Sequence, residues 1–191
     1  MFHKLQSRLA ASLLCGAALA LPALADDILS KAVNDPSVGW AASGSGAKVE
    51  LFKDPAVQGG TAERMTIMGK SANAWDWGGH ASIVKPLKQG DVVLLAFWAK
   101  AETPPEGGTT IDVYTNVQND GAPYNSLGSG YLHIGPQWKM YFVVATADRD
   151  YKANEAGAQL QLATAAQVID LGPLFILNYG AGYDTTKLPH S

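Results

Sequence analysis

The stretch TTIDVYTNVQ (109–118) decides the fold, because its side chains alternate between two chemical types. One set is apolar or small and consists of Ile111, Val113, Thr115 and Val117. The other set is polar and consists of Asp112, Tyr114, Asn116 and Gln118. Successive side chains of a strand point to opposite faces, so this alternation predicts a β-strand with one face in a core.

Similar short runs recur along the chain, separated by glycine, proline and asparagine. They predict further strands at 47–53, 62–68, 80–85, 91–101, 130–134, 138–147, 157–163 and 167–178. Helix signals are nearly absent beyond one turn near 27–33. About nine strands spaced by turn signals predict an all-β fold, an antiparallel β-sandwich or barrel, rather than a parallel α/β sheet.

The first 25 residues have the pattern of a secretory signal peptide. A short basic head is followed by an apolar run over 9–21 and by the small residues Ala23 and Ala25, which predicts cleavage after Ala25. The run is too short to span a bilayer comfortably. We therefore expect a secreted or periplasmic protein with no membrane partner. Its parts are a lead-in over 26–38, the sandwich over 39–178 and a loose surface tail over 179–191.

Removal of the signal peptide also removes Cys15, the sole cysteine, so the mature chain has no disulfide and no thiolate nucleophile. Residues 26–191 carry 12 basic and 17 acidic side chains, a net charge of −5. No basic run is present, which disfavours nucleic acid and anionic membranes as partners.

The polar faces of the predicted strands carry amides and tyrosines instead of the usual lysine and glutamate. In 157–163, Gln159 and Gln161 oppose an apolar set, namely Ala158, Leu160 and Leu162. In 138–147, the predicted apolar face is Trp138, Met140, Phe142 and Val144, opposite Lys139 and Tyr141. Such a face is either ordinary solvated surface or a site for sugar hydroxyls, which need donors and acceptors beside apolar rings.

Four stretches carry a resemblance to a known family. They are GKSANAWDWGG (69–79), LKQGDVVLLAFWAKAE (87–102), GPQWKMYFVV (135–144) and VIDLGPLFIL (168–177). In order and spacing they resemble the carbohydrate-binding modules of the family 4/9 type. The resemblance implies a jelly-roll β-sandwich with a carbohydrate ligand. It also implies work alongside a separate polysaccharide-degrading enzyme.

The same resemblance implies two local features. Members of the family hold a structural calcium ion with an aspartate of the closing strand, and Asp170 is the matching residue. The usual acidic partner near the first strand is not evident in VNDPSVGW (33–40). Members also place a tryptophan beside the sugar cleft at a point that matches Trp75 or Trp77, with Trp77 the better match.

The five tryptophans divide by context. Trp98 and Trp138 lie in apolar strands and are predicted to pack in the core, as is Trp40 near the start of the fold. Trp75 and Trp77 follow small polar residues and precede Gly78 and Gly79, so their segment is predicted to be a loop. If that segment is extended, alternation places both rings on one side, where they could stack on a ligand.

Further candidate ligand-binding residues come from the polar strand faces and one loop. They are Tyr114, Asn116, Gln118 and Tyr124, with Arg64, Gln159 and Gln161 as weaker additions. His80 is predicted to be a surface histidine, because no other histidine lies at a metal-ligand spacing from it.

Catalytic motifs are missing from the sequence. It has no nucleophile elbow and no phosphate-binding glycine loop. Glycoside hydrolysis needs two carboxylates that face one bond, and the acidic residues are scattered singly. The sequence therefore predicts a non-catalytic carbohydrate-binding module. Two alternatives stay open: a small jelly-roll polysaccharide lyase or glycoside hydrolase, and a structural or protein-interaction sandwich.

Overall fold

The computed structural model describes residues 28–191. The predicted signal peptide therefore lies outside the described residues. Within the described part of the chain, no helix is long and apolar enough to cross a membrane.

Residues 28–191 form ten strands in two antiparallel sheets. The strands are Ala41–Ser43 (β1), Ala47–Lys53 (β2), Thr61–Ile67 (β3), Gly78–Ser82 (β4), Asp91–Thr103 (β5), Ile111–Asn119 (β6), Ser126–Ile134 (β7), Lys139–Thr146 (β8), Ala156–Gln161 (β9) and Gln167–Ala181 (β10). The front sheet has the order β1-β4-β9-β6-β7, and the back sheet has the order β2-β3-β10-β5-β8. The prediction of an all-β jelly-roll sandwich is confirmed. Strand β1 was not predicted, because three residues are too few to show an alternation.

The core lies between the two sheets and follows the predicted alternation in β6 and β9. Val113 and Val117 of β6 and Leu160 of β9 are fully buried. Trp40 packs there as expected, with its ring edge-on to Phe97 at a centroid distance of 5.5 Å. Burial of each such apolar side chain stabilises the fold by about 1.5–3 kcal/mol.

Strand β8 shows the opposite alternation to the predicted one. Tyr141, Val143 and Ala145 face the core, while Phe142 and Val144 lie on the outer side of the back sheet. Because both faces of β8 are covered by apolar groups, its two sets of side chains are equally hydrophobic. Hydrophobicity alone could not decide which set faces the core.

Trp98 and Trp138 are also placed differently from the prediction, since both lie half-buried on the outer side of the back sheet. The Nε1–H group of Trp98 donates to Gln58 at 3.2 Å. The Nε1–H group of Trp138 donates to Asp54 at 2.9 Å. Each indole therefore has a polar partner that a dry core would not supply. The neighbours of Trp98 along β5 are apolar because both faces of that strand are covered, which is why the sequence pattern placed Trp98 in the core.

The segment after β10 is packed, contrary to the expected loose tail. Leu188 is only 4% exposed and contacts a cluster on the outer side of the back sheet, here called the C-terminal cluster. Its members are Ala32, Val92, Leu94, Leu177 and Leu188, with Phe142, Val144, Phe175, Tyr179 and Tyr183 around them. Ser191 accepts a hydrogen bond from the backbone N–H of Phe142 at 2.6 Å. The tail thus covers the apolar outer face of β5 and β8.

Candidate carbohydrate-binding groove

A groove of about 1070 Å³ lies on the face of the front sheet that points away from the core. The strand register sets the order of side chains along its floor. Gln161 lies between Gly78 and Tyr114, and Gln159 lies between His80 and Asn116. Neighbouring strands are about 4.8 Å apart, so a ligand laid across the sheet would meet side chains from several strands in turn.

The centre of the groove floor consists of amides. Asn116 donates from Nδ2 to Gln118 Oε1 at 2.9 Å, while its own Oδ1 is buried without a partner among the described residues. Among residues 28–191, neither Gln159 nor Gln161 makes a side-chain hydrogen bond. Their amides are therefore available to a hydrogen-bonding ligand, whereas Asn116 Oδ1 is too deeply buried for a ligand to reach.

Trp75 stands at one side of the groove on a short 3₁₀ turn, Ala74–Asp76. The Asp76 carboxylate holds this turn by accepting from Ser71 Oγ at 2.7 Å and from the Asn73 N–H at 3.0 Å. These bonds, with the Ser71 hydroxyl the larger cause, lower the pKa of Asp76. The turn leaves Trp75 59% exposed, so that a large apolar surface faces the groove.

Trp77 does not line the groove. The turn breaks the extended conformation in which both indoles would point to one side, and the Trp77 ring packs instead against Gly44, Gly46 and the core. A Cβ atom at Gly46 would overlap that ring. The glycines before β2 thus leave a flat surface against which Trp77 packs, so its ring contacts the rest of the fold and not the groove.

Tyrosines form the opposite side of the groove. Tyr131 is 66% exposed and meets Tyr114 edge-on, with 6.1 Å between ring centroids. Tyr124 is 59% exposed on the loop after β6. Its backbone has φ 57°, a left-handed conformation that is uncommon for residues other than glycine. Strained residues of this kind cluster at functional sites, where the surrounding structure holds them in place.

One ionisable pair lies within the groove. His80 Nε2 lies 3.0 Å from Asp120 Oδ1, and Ser82 Oγ donates to Asp120 Oδ2 at 3.1 Å. Space for the pair comes from Gly157, where a Cβ atom would lie 3.0 Å from both side chains. The hydroxyl of Ser82 bonds the carboxylate and not the imidazole, so these three groups do not form a nucleophilic triad.

Arg64 and Asp170 are far from the groove, on the outer side of the back sheet. Arg64 donates from Nε and Nη2 to the two oxygens of Asp170 at 2.8 and 2.9 Å. Lys100 Nζ lies 3.3 Å from Asp170 Oδ2. The hydrogen bonds to Asp170 raise the pKa of Arg64 above its ordinary value. At Lys100, burial acts to lower the pKa. The hydrogen bonds and charges of Asp170 and Glu102 outweigh that effect, so the pKa of Lys100 is raised.

The surroundings of Asp170 do not fit a calcium ion. Its carboxylate is fully buried against two cationic side chains, whereas calcium needs six to eight oxygen ligands. Across residues 28–191, no group of three or more acidic, histidine or cysteine side chains is placed to hold a metal.

Seven of the nine predicted ligand-binding residues line the groove, and Trp77 and Arg64 do not. The seven are Trp75, Tyr114, Asn116, Gln118, Tyr124, Gln159 and Gln161. Sequence reasoning missed Tyr131 and the His80–Asp120 pair. Tyr131 could have been found, because it alternates with Leu132 in the predicted strand. Asp120 could not have been found, since a loop residue is not part of the alternating pattern of a strand.

No protein-family model matches the chain, and no curated protein matches it in sequence. In structure, the chain is similar to a solved CBM4 module, with 18% identity and a TM-score of 0.55, over 73% of this chain and 94% of that one. It is also similar to the CBM22-1 xylan-binding domain of Paenibacillus barcinonensis Xyn10C, with 20% identity and a TM-score of 0.54, over 75% and 88% of the chains.

A third similar structure is a Stig cyclase from Fischerella sp. TAU, solved in complex with an indole compound. It shows 12% identity and a TM-score of 0.56, over 78% of this chain and 89% of that one. At these identities the likeness establishes a shared fold. The predicted resemblance to carbohydrate-binding modules is thus confirmed at the level of the jelly-roll sandwich.

Proposed function

We propose that this protein binds glycan chains non-covalently in the front-sheet groove and does not cleave them. The observation that carries the proposal is the floor of uncharged amides, bordered by exposed Trp75 on one side and by exposed Tyr124 and Tyr131 on the other. Sugar rings offer apolar faces for aromatic stacking and hydroxyls for amides. A few such contacts correspond to a dissociation constant between about 1 μM and 1 mM.

The composition of the groove favours this function over a structural role. A face that only needs to stay soluble is served by lysine and glutamate, whereas the centre of this floor is made of uncharged amides. The exposed Trp75 adds a large apolar surface that a structural sandwich would bury. Two of the similar structures support the proposal, because one is a CBM4 module and the other is a xylan-binding domain.

An enzyme is the second candidate, and the His80–Asp120 pair is the observation that favours it. A carboxylate bonded to an imidazole is a common acid–base arrangement. The pKa of Asp76, the other carboxylate in the groove, is lowered by its hydrogen bonds, so it is poorly suited to serve as the general acid of glycoside hydrolysis. Assays of reducing sugar and of unsaturated products decide: turnover by pure protein that Asp120→Asn abolishes would establish the enzyme.

Binding is tested by affinity electrophoresis and calorimetry over a panel of polysaccharides, with Trp75→Ala as the variant. Loss of one stacked indole is expected to weaken binding about tenfold, which is about 1.4 kcal/mol. Trp75→Phe keeps a ring and is expected to restore most of the affinity. Leu51→Ala, on the back sheet and 73% exposed, serves as the control. Absence of binding to every glycan refutes the proposal.

We further propose that the protein acts outside the cytoplasm, beside a separate polysaccharide-degrading enzyme. The support is the signal-peptide pattern of residues 1–25 together with a fold shared with modules of such enzymes. Mass spectrometry of the protein from the periplasmic fraction is expected to give a chain that begins at Asp26. An intact N-terminus in the cytoplasmic fraction would contradict the export.

A further inference from the structure

The charged side chains that line the groove are acidic, apart from His80. Asp76 and Asp120 both line it, and no lysine or arginine of the described residues does. Asp76 remains ionised in mildly acidic solution, since its pKa lies below the ordinary value. Even with His80 counted as a cation against Asp120, the two carboxylates leave the groove with a net negative formal charge.

The hydrogen-bonding chemistry of the groove carboxylates also favours a donor-rich ligand. Ionised Asp76 and Asp120 accept hydrogen bonds and cannot donate them. A protonated amine offers three donors and no acceptor, whereas a carboxylate offers acceptors only. Aromatic faces such as those of Trp75 and Tyr131 attract cations as well. The carboxylates and the aromatic rings of the groove thus favour the same kind of ligand, one that carries a positive charge.

We propose that the groove selects glycans that bear a protonated amino group, prefers them to neutral glycans and rejects glycans that bear carboxylates. This inference rests on the proposed function and specifies its ligand. The amine would lie within reach of Asp76 or Asp120 while the sugar rings stack on the aromatic sides. A uronic acid in the same position would bring a third carboxylate into a site that no lysine or arginine of the described residues lines.

The test compares β-1,4-linked oligosaccharides of equal length that all have the gluco configuration. Oligomers of glucosamine, N-acetylglucosamine and glucose supply an amine, a neutral amide and a hydroxyl at C2, and an oligomer of β-1,4-linked glucuronic acid supplies a carboxylate at C6. By calorimetry at mildly acidic pH and low salt, the amine is expected to bind about tenfold tighter than the neutral oligomers and the uronate at least tenfold weaker. At about 1 M salt the Debye length falls to about 3 Å, so the preference is expected to shrink.

Two variants locate the effect. Asp76→Asn and Asp120→Asn keep an acceptor oxygen, and each is expected to lower the ratio of the affinity for the amine to the affinity for the neutral oligomers at least threefold. Asp112→Asn is the matched control, because Asp112 is exposed on the front sheet outside the groove. It changes the net charge equally and is expected to keep the preference. Circular dichroism checks that each variant is folded.

The outcomes separate the two proposals. If neutral oligomers bind and the amine binds no tighter, the inference on charge is refuted while the proposed function stands. A preference that survives both groove variants, or that Asp112→Asn also removes, refutes the inference as well, because the selectivity would then come from overall charge. If none of these oligomers binds while another polysaccharide of the panel does, the inference on charge fails and the proposed function stands; if nothing in the panel binds, both fail.

Discussion

At the scale of single residues, Trp75 and Trp77 show how one turn assigns two similar side chains to different roles. The bonds from Ser71 and Asn73 to Asp76 close a 3₁₀ turn between the two indoles. That turn directs Trp75 into the groove and Trp77 onto the glycines before β2. Because one ring contacts solvent and the other contacts the core, their removal is expected to have different consequences.

Trp77→Ala is expected to lower the free energy of unfolding by about 2 kcal/mol, below the value for a fully buried tryptophan because the ring is half-buried. Trp75→Ala is expected to change it by less than about 0.5 kcal/mol, as is usual for an exposed side chain. Urea denaturation followed by circular dichroism measures both. Equal losses of stability in the two variants would mean that the Trp75 ring also packs against the fold.

At the scale of strands, the charges of the back sheet form a row across four neighbours. Glu50, Arg64, Asp170 and Lys100 are paired in register from β2 through β3 and β10 to β5. Opposite charges directly across strands stabilise a sheet. In the middle of the row, Asp170 is fully buried and depends on its two cationic neighbours.

Asp170→Asn is therefore expected to destabilise the protein by about 3 kcal/mol, since one partner of a buried ion pair is removed and the other charges lose their counterpart. Calcium chloride and a chelator are expected to leave the melting temperature of the parent protein unchanged, because Arg64 and Lys100 already satisfy the carboxylate. Differential scanning calorimetry measures both effects, with Asp112→Asn as a surface control. A chelator-induced fall in melting temperature would show that a metal is bound after all.

The strands also show where sequence reasoning succeeds. Alternation placed the side chains of β6 and β9 correctly, because one face of each meets the core and the other meets the groove. It misplaced β8 and Trp98 of β5, since the C-terminal segment and the indoles cover the outer face of the back sheet and make both sides apolar. The groove amides were predictable for the same reason as β6. The turn at Ala74–Asp76 and the Asp120 loop were not, because their geometry arises from hydrogen bonds between side chains and backbone.

At the scale of the whole molecule, the two outer faces of the sandwich are treated differently. The back sheet is covered by the charged row, the half-buried indoles and the segment that ends at Ser191. The front sheet keeps its polar face open as the groove. Under the proposed function, this division leaves one face open to a ligand, while the packing on the other face contributes to stability.

Deletion of residues 182–191 tests this division. It would expose Leu94 and Phe142 of the C-terminal cluster, so we expect a melting temperature lowered by several degrees and a tendency to aggregate. Leu188→Ala is expected to cost about 2 kcal/mol, at the low end for a buried leucine because the cluster lies near solvent. Lys187→Ala, an exposed neighbour, serves as the control. Glycan affinity measured below the melting transition should stay within twofold of the full chain, because the groove is on the opposite sheet; a larger loss would show that the two faces are coupled through the core.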